Sequence, residues 1–207
     1  MRASVAILAL AALLPVAGVA KAPKTTVATA PDWRAVAKRD DLQRLRTWRD
    51  AFVEALAEAQ ASGDGAKVAA EGKLLDPDAA LDGPAVPVGR YRCRTLKLGS
   101  AGNGRLGLVA YPAFDCRVTM RGDATLFEKL GGSQRPGGTF YPGGARRQVF
   151  LGTLVLGDEI RALGYGHDAT RDMAGAVERI GPQQWRLILP YPRFDSTLDV
   201  IELVPAS

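Results

Sequence analysis

The sequence predicts an α+β fold in which an N-terminal helical pair packs on an antiparallel β-barrel, or a strongly curved sheet, of about eight strands. Three observations carry this expectation. Leu42, Leu45, Trp48, Phe52, Leu56 and Ala59 recur every three or four residues, the single apolar stripe of an amphipathic helix. From Val88 onward, turn-forming residues recur at regular short intervals between β-type runs, the pattern of a sandwich or barrel. Two of those runs alternate with period two, and each carries one of the chain's two cysteines, Cys93 and Cys116, on its apolar face.

The chain opens with Arg2, an apolar run from Val5 to Leu14, Pro15 and small residues ending at Ala20. Residues 1–20 read as a secretory signal peptide, too short for a comfortable membrane span. No cysteine follows the run to carry a lipid, and no other stretch is long and apolar enough to cross a bilayer. Residues 21–31 are small, polar and rich in Thr, Ala and Pro, as in a flexible leader. Residues 32–205 are expected to form one globular domain, helical over 32–87 and β over 88–205.

Within the helical part, Asp40 is a plausible N-cap and Gly63 a stop signal. Arg44, Arg46, Arg49, Asp50, Glu54 and Glu58 fall on the face opposite the stripe, where solvated charge is expected, whereas Trp48 and Phe52 anchor the core. A shorter helix over 65–75 ends at Asp76-Pro77-Asp78, and a Pro/Gly connection leads into the β part.

In the first cysteine strand, Tyr91, Cys93 and Thr95 oppose Arg90, Arg92 and Arg94. In the second, Phe114, Cys116, Val118 and Met120 oppose Asp115, Arg117 and Thr119. Inward cysteines on neighbouring antiparallel strands can reach disulfide distance. With the two directly opposite, Arg94 faces Asp115, Arg92 faces Arg117, Arg90 faces Thr119 and Tyr91 faces Val118. The Arg92–Arg117 pair is then either relieved by a bound anion or splayed into water. A structural disulfide requires an oxidising compartment, so a periplasmic or secreted location is expected. Further strands are predicted near 106–110, 125–130, 138–141, 148–156, 173–180, 185–189 and 198–204. The core is expected to include Trp48, Phe52, Tyr91, Val118, Phe150, Leu154 and Leu187.

Residues 88–150 carry a net charge of +8 between flanks (31–87 and 151–207) of −3 each. Such a basic middle either pairs internally or faces an anion. Nucleic acid is not an expected partner, because no basic run is interleaved with aromatics. A lone histidine, His167, with both cysteines committed, offers no metal framework. His167-Asp168 with Ser133 or Ser196 could be written as a triad, but no nucleophile elbow frames either serine. The glycine-rich segment 131–138 lacks the Gly-Lys-Ser/Thr ending of a phosphate loop, as does Gly143-Gly144, and both read as hairpin tips. Arg121-Gly122-Asp123 reads as a tight turn. Asp158 and Glu159 are adjacent and would point apart on a strand. Glu178 and Glu202 are expected to pair with Arg179 or Arg186.

The ligand contacts this leaves are Arg135, Tyr141, Arg146 and Arg147, gathered at an anion-binding edge, with Arg92 and Arg117 on the cysteine hairpin. No catalytic residue, metal site or cofactor is assigned. The expected function is an exported binding or inhibitor-like module for an anionic ligand or an envelope protein. The alternative is a small periplasmic hydrolase using a carboxylate or His167.

Several phrases together resemble a known family: Asp32-Trp33-Arg34, Leu75-Asp76-Pro77-Asp78-Ala79-Ala80-Leu81, Tyr91-Arg92-Cys93-Arg94, Tyr111-Pro112-Ala113-Phe114-Asp115-Cys116-Arg117, Gly132-Ser133-Gln134-Arg135-Pro136, residues 150–159 and residues 172–179. The set is similar to secreted proteins of Gram-negative bacteria grouped as domain of unknown function 4893, over Asp32 to Pro205. The resemblance implies an exported single domain and transfers no catalytic residue. Gly89-Arg90-Tyr91 is also similar to the opening strand of lipocalin-like barrels, which usually place tryptophan where Tyr91 stands.

Overall fold

The computed structural model describes residues 32–100 and 107–206, so the expected signal peptide and leader lie outside the described residues. The helical region is divided into α1 (Trp33–Val36), α2 (Arg39–Arg46), α3 (Trp48–Ala61) and α4 (Gly65–Ala70), followed by a 3-10 turn, Gly72–Leu75. The long stripe helix is split at Thr47, where φ is −99° and ψ 17°. The Thr47 hydroxyl donates to the Gln43 carbonyl at 3.0 Å, a back-bond that bends helices. Asp40 lies inside the first turn of α2, and Lys38 takes the N-cap position. Arg44, expected in solvent, is buried: it pairs with Asp41 and donates to the Asp172 carbonyl at 3.0 Å.

The strands are β1 (Gly89–Leu98), β2 (Leu108–Ala110), β3 (Phe114–Arg121), β4 (Ala124–Lys129), β5 (Gln134–Pro142), β6 (Gln148–Leu156), β7 (Asp172–Gly181), β8 (Gln184–Pro190) and β9 (Leu198–Pro205). From β3 to β9 each strand pairs antiparallel with the next. β9 then returns along β1, from Tyr91↔Pro205 to Leu98↔Leu198, and closes an eight-stranded barrel. The short β2 is an extra strand on the last three residues of β1, beyond the stretch that β3 occupies. The α+β barrel expected from the sequence is therefore the fold.

The cysteine hairpin keeps its faces but not its register. Cys93 and Cys116 form a disulfide with Cα atoms 5.9 Å apart. However, Tyr91 is opposite Cys116 and Cys93 opposite Phe114, a slip of two residues from direct opposition. A two-residue slip preserves which side chains point inward, so the disulfide joins diagonal neighbours. The slip also sets Arg92 opposite Asp115 at 2.6 Å, a favourable cross-strand pair. The expected Arg92–Arg117 opposition does not arise. Arg90 faces Arg117 instead, and Arg117 turns to Glu128 at 2.7 Å.

β5 begins four residues earlier than predicted, so only the start of the glycine-rich segment is a hairpin tip. Gly138 and Gly152 face each other across β5 and β6. A Cβ on Gly138 would lie 2.4 Å from the Gly152 Cα, and one on Gly152 2.4 Å from the Phe150 ring. These glycines make room for the Phe150 ring inside the barrel.

The interior is filled with side chains. Tyr91, the Cys93–Cys116 pair, Val118, Phe150, Leu154, Val177, Trp185, Leu187, Ile201 and Leu203 form one buried cluster. Phe127 and Phe140 stack at 5.3 Å, and both meet Phe150 edge-on. A second cluster lies outside the barrel, where Ala51, Phe52, Ala55 and Ala59 of α3 cover Leu96, Leu98, Ala176, Ile180, Ile188 and Val200. The helices thus cover one face rather than an open end. Trp48 is only partly buried there, with the Arg147 guanidinium 4.1 Å from its ring centroid.

Beneath this helical layer Arg186 and Glu178 are both fully buried and paired at 2.6 Å, as the sequence suggested. Arg186 also donates to the carbonyls of Lys73, Leu74 and Asp76. Arg147 bonds the other Glu178 oxygen. Burial pulls the Arg186 guanidinium below its ordinary pKa, and Glu178 opposes that shift.

Candidate functional site

The ladder registers put the end of β1, the end of β4 and the start of β9 at one mouth of the barrel. Inward alternation carries Tyr91, Cys93 and Thr95 on to Lys97, and Phe127 on to Lys129, while Leu203 and Ile201 lead back to Asp199. Three charged side chains therefore stand where a barrel wants apolar ones, each less than a tenth exposed. Such groups are found buried only when they are paired or when they serve a purpose.

Lys97 and Asp199 satisfy each other, with Nζ 3.0 and 3.3 Å from the two carboxylate oxygens. The Ser196 hydroxyl donates to Asp199 at 2.5 Å. Burial pushes the Asp199 carboxyl up, and the Lys97 ammonium opposes this.

Lys129 has no such partner: no carboxylate lies within ion-pair distance among the described residues. Its ammonium donates to the Gly131 carbonyl at 2.5 Å and the Gln134 carbonyl at 3.1 Å, and stands 4.4 Å from the Phe114 ring centroid. The turn is built for this contact. Gly132 has φ +85°, and a Cβ there would approach the Lys129 Nζ to 2.9 Å. Burial, with a smaller push from the Arg135 charge, lowers the Lys129 pKa from 10.5 to about 8. An ammonium has three donors, and two are used by the turn carbonyls.

Lys97 and Lys129 line one cavity of about 140 Å³ at the mouth. Phe114 and Tyr111 give it aromatic walls, and Thr95, Ser133 and Gln134 give it polar side chains. This size is close to the roughly 150 Å³ that accommodates a benzene molecule.

The structure does not gather the predicted arginine edge. Arg135 begins β5, while Arg146 and Arg147 precede β6 at the opposite end of the same hairpin, roughly 20 Å away at strand rise. Arg135 donates to the carbonyls of Gly132, Gly157 and Glu159 and so ties the β4–β5 turn to the loop after β6. Arg146 pairs with Asp82 at 2.9 Å, and Arg147 is held by Glu178 and Trp48. Arg92 and Arg117 are paired with Asp115 and Glu128. Tyr141 faces outward on β5, in a separate cleft.

No triad assembles. His167 is exposed, and Ser196 is buried against Asp199. The Asp168 carboxylate accepts from the Thr170 hydroxyl and amide, which hold its pKa down. Glu202 is engaged by Arg94 and Gln184 rather than by the expected Arg179 or Arg186. Among the described residues no group of three His, Cys, Asp or Glu could hold a metal ion, and no helix is long and apolar enough to cross a membrane.

A family model described as "Domain of unknown function (DUF4893)" matches residues 33–203. The chain belongs to that family. No curated protein and no solved structure matches it.

Proposed function

We propose that this protein is an exported binding module that holds a small carboxylate at the barrel mouth. The observation that carries the reading is Lys129, a buried ammonium with a donor to spare and no carboxylate of its own among the described residues, facing an aromatic-walled cavity. A carboxylate there would form a charge-assisted hydrogen bond in a partly desolvated site, where such bonds are strong. Cavity size and the rings of Phe114 and Tyr111 favour a compact anion with an apolar body. Export is supported by the signal-like residues 1–20 and by the Cys93–Cys116 disulfide, a bond that persists in oxidising compartments. Binding rather than hydrolysis is the better reading, because His167 and Asp168 are not arranged with a nucleophile.

Calorimetric titration with benzoate tests this. Wild-type protein is expected to bind, and Lys129→Gln to lose the binding while remaining folded. Affinity is expected to be level below pH 8 and to fall by about tenfold per pH unit above it, because the anion must then bring a proton onto Lys129. Absence of binding by the wild type, or benzoate binding untouched by Lys129→Gln, contradicts the proposal.

A further inference from the structure

A second cavity, of about 550 Å³, lies on the outer face of β4, β5 and β6. It falls within the size range of small-molecule sites, roughly 300–1,000 Å³. The loop after β6, from Glu159 to Tyr165, forms one wall, with Val36 of α1 beside it. Gly137 and Thr153, directly opposite each other across β5 and β6, lie in its floor.

These two residues are the reason to regard the cleft as a site. Glycine in a strand interior weakens it and usually answers a need for space or for a special backbone. Gly138 and Gly152 answer such a need, as shown above. Gly137 does not: its φ lies outside the left-handed region, and a Cβ there would meet only the Phe127 carbonyl at 3.6 Å and the Glu128 Cγ at 3.9 Å, ordinary contacts. The backbone and its neighbours would therefore accept a side chain, and the glycine leaves the floor of the cleft open. Beside it, the Thr153 hydroxyl is buried without a hydrogen-bond partner among the described residues, in a residue only 2% exposed. Buried hydroxyls are ordinarily paired, and an unpaired one needs a reason.

The surroundings define the ligand. Leu126, Leu151, Val155 and Tyr141 line the floor, and Ile160 stands 92% exposed at the rim. Of the charged residues along it, Glu128 is engaged by Arg117, Glu159 by Arg171 and Arg135 by three carbonyls, while the Lys129 ammonium is turned to the carbonyls of Gly131 and Gln134. Arg121 is at the solvent-exposed end. We propose that this cleft binds a neutral, mainly apolar small molecule whose single hydroxyl or carbonyl group pairs with Thr153 above Gly137. The cleft shares Lys129 as a lining residue with the mouth cavity, but the proposed contacts are to Thr153 and Gly137 and do not depend on the carboxylate reading.

Nile red, a neutral apolar dye with a ring carbonyl, is the probe. Wild-type protein is expected to bind it with a rise and blue shift of its fluorescence. Gly137→Leu fills the floor and is expected to weaken binding about tenfold or more, with a melting temperature no lower than wild type. Ile160→Asp, at a position too exposed to affect folding, is expected to weaken it as well and serves alone if Gly137→Leu does not fold. No dye binding by the wild type, or wild-type affinity in a folded Gly137→Leu or in Ile160→Asp, overturns the proposal.

Discussion

Lys129 illustrates how a single residue can oppose stability. Its pKa of about 8 in the folded chain lies below the ordinary 10.5, so folding disfavours its charged form. Between pH 8 and 10.5 the unfolded chain holds the proton more tightly, and stability contributed through this residue rises with pH. Below pH 8 both states are protonated and the destabilisation is complete. Chemical denaturation of wild type and Lys129→Met from pH 7 to 10.5 is expected to show the variant gaining most over wild type at pH 7 and the gap closing toward pH 10. A constant gap would place the effect of the substitution in packing rather than charge. Glu178 behaves oppositely. Removing it leaves Arg186 buried with no counter-charge, and Glu178→Ala is expected to cost about 3–5 kcal/mol, a large loss read from urea unfolding.

Both residues were open to reading in the sequence to different degrees. The strand pattern leaves Glu178 either Arg179 or Arg186 as a partner, and the structure gives it Arg186. Lys129 belongs to no motif, although extending the inward alternation by one step from Phe127, and from Thr95, lands on Lys129 and Lys97. Charge at an inward strand position is an anomaly that pattern alone can expose. What pattern could not expose is that Lys97 has Asp199 whereas Lys129 has no carboxylate among the described residues, since that depends on how β1 meets β9.

Among the elements, the cysteine hairpin shows what pairing chemistry leaves undetermined. Alternation identified the faces of β1 and β3 and the disulfide, because faces depend only on period. Register depends on the whole set of cross-strand contacts, and it lies two residues away from direct opposition, with Arg92 rather than Arg94 against Asp115. The bond closes a separation of 23 residues, which by loop-closure entropy stabilises the fold by about 3 kcal/mol. β1 remains hydrogen-bonded to β9 along eight residue pairs without it. The Cys93→Ser/Cys116→Ser double variant is therefore expected to stay folded with a melting temperature lower by about 2–4 °C per kcal/mol lost. Near-ultraviolet circular dichroism lacking tertiary signal at room temperature would show that the ladder is insufficient. Composition hides the start of β5: glycines at 137 and 138 read as a turn, whereas one is there for the Phe150 ring and the other faces the outer cleft.

At the scale of the whole molecule, part of the basic middle of the chain is spent on the acidic flanks. Arg94 is held by Glu71 and Glu202, Arg146 by Asp82 and Arg147 by Glu178. The helical layer and the last strands thus dock on the barrel partly through this charge complementarity, and the excess of positive charge is not in itself a ligand signal. The barrel interior is packed with aromatic and aliphatic side chains, and the two proposed sites lie outside it, at the mouth and on the outer face. This could not be read from alternation, which is the same for a filled and a hollow barrel.

The ammonium at the mouth is the centre of the proposed binding, and NMR of protein labelled at the lysine side chains observes it directly. Titration from pH 6 to 11 is expected to show one lysine, absent from the Lys129→Gln spectrum, with a midpoint near 8 that moves upward when benzoate is added. A Lys129 signal that titrates with the other lysines near 10.5 and ignores benzoate would contradict the account.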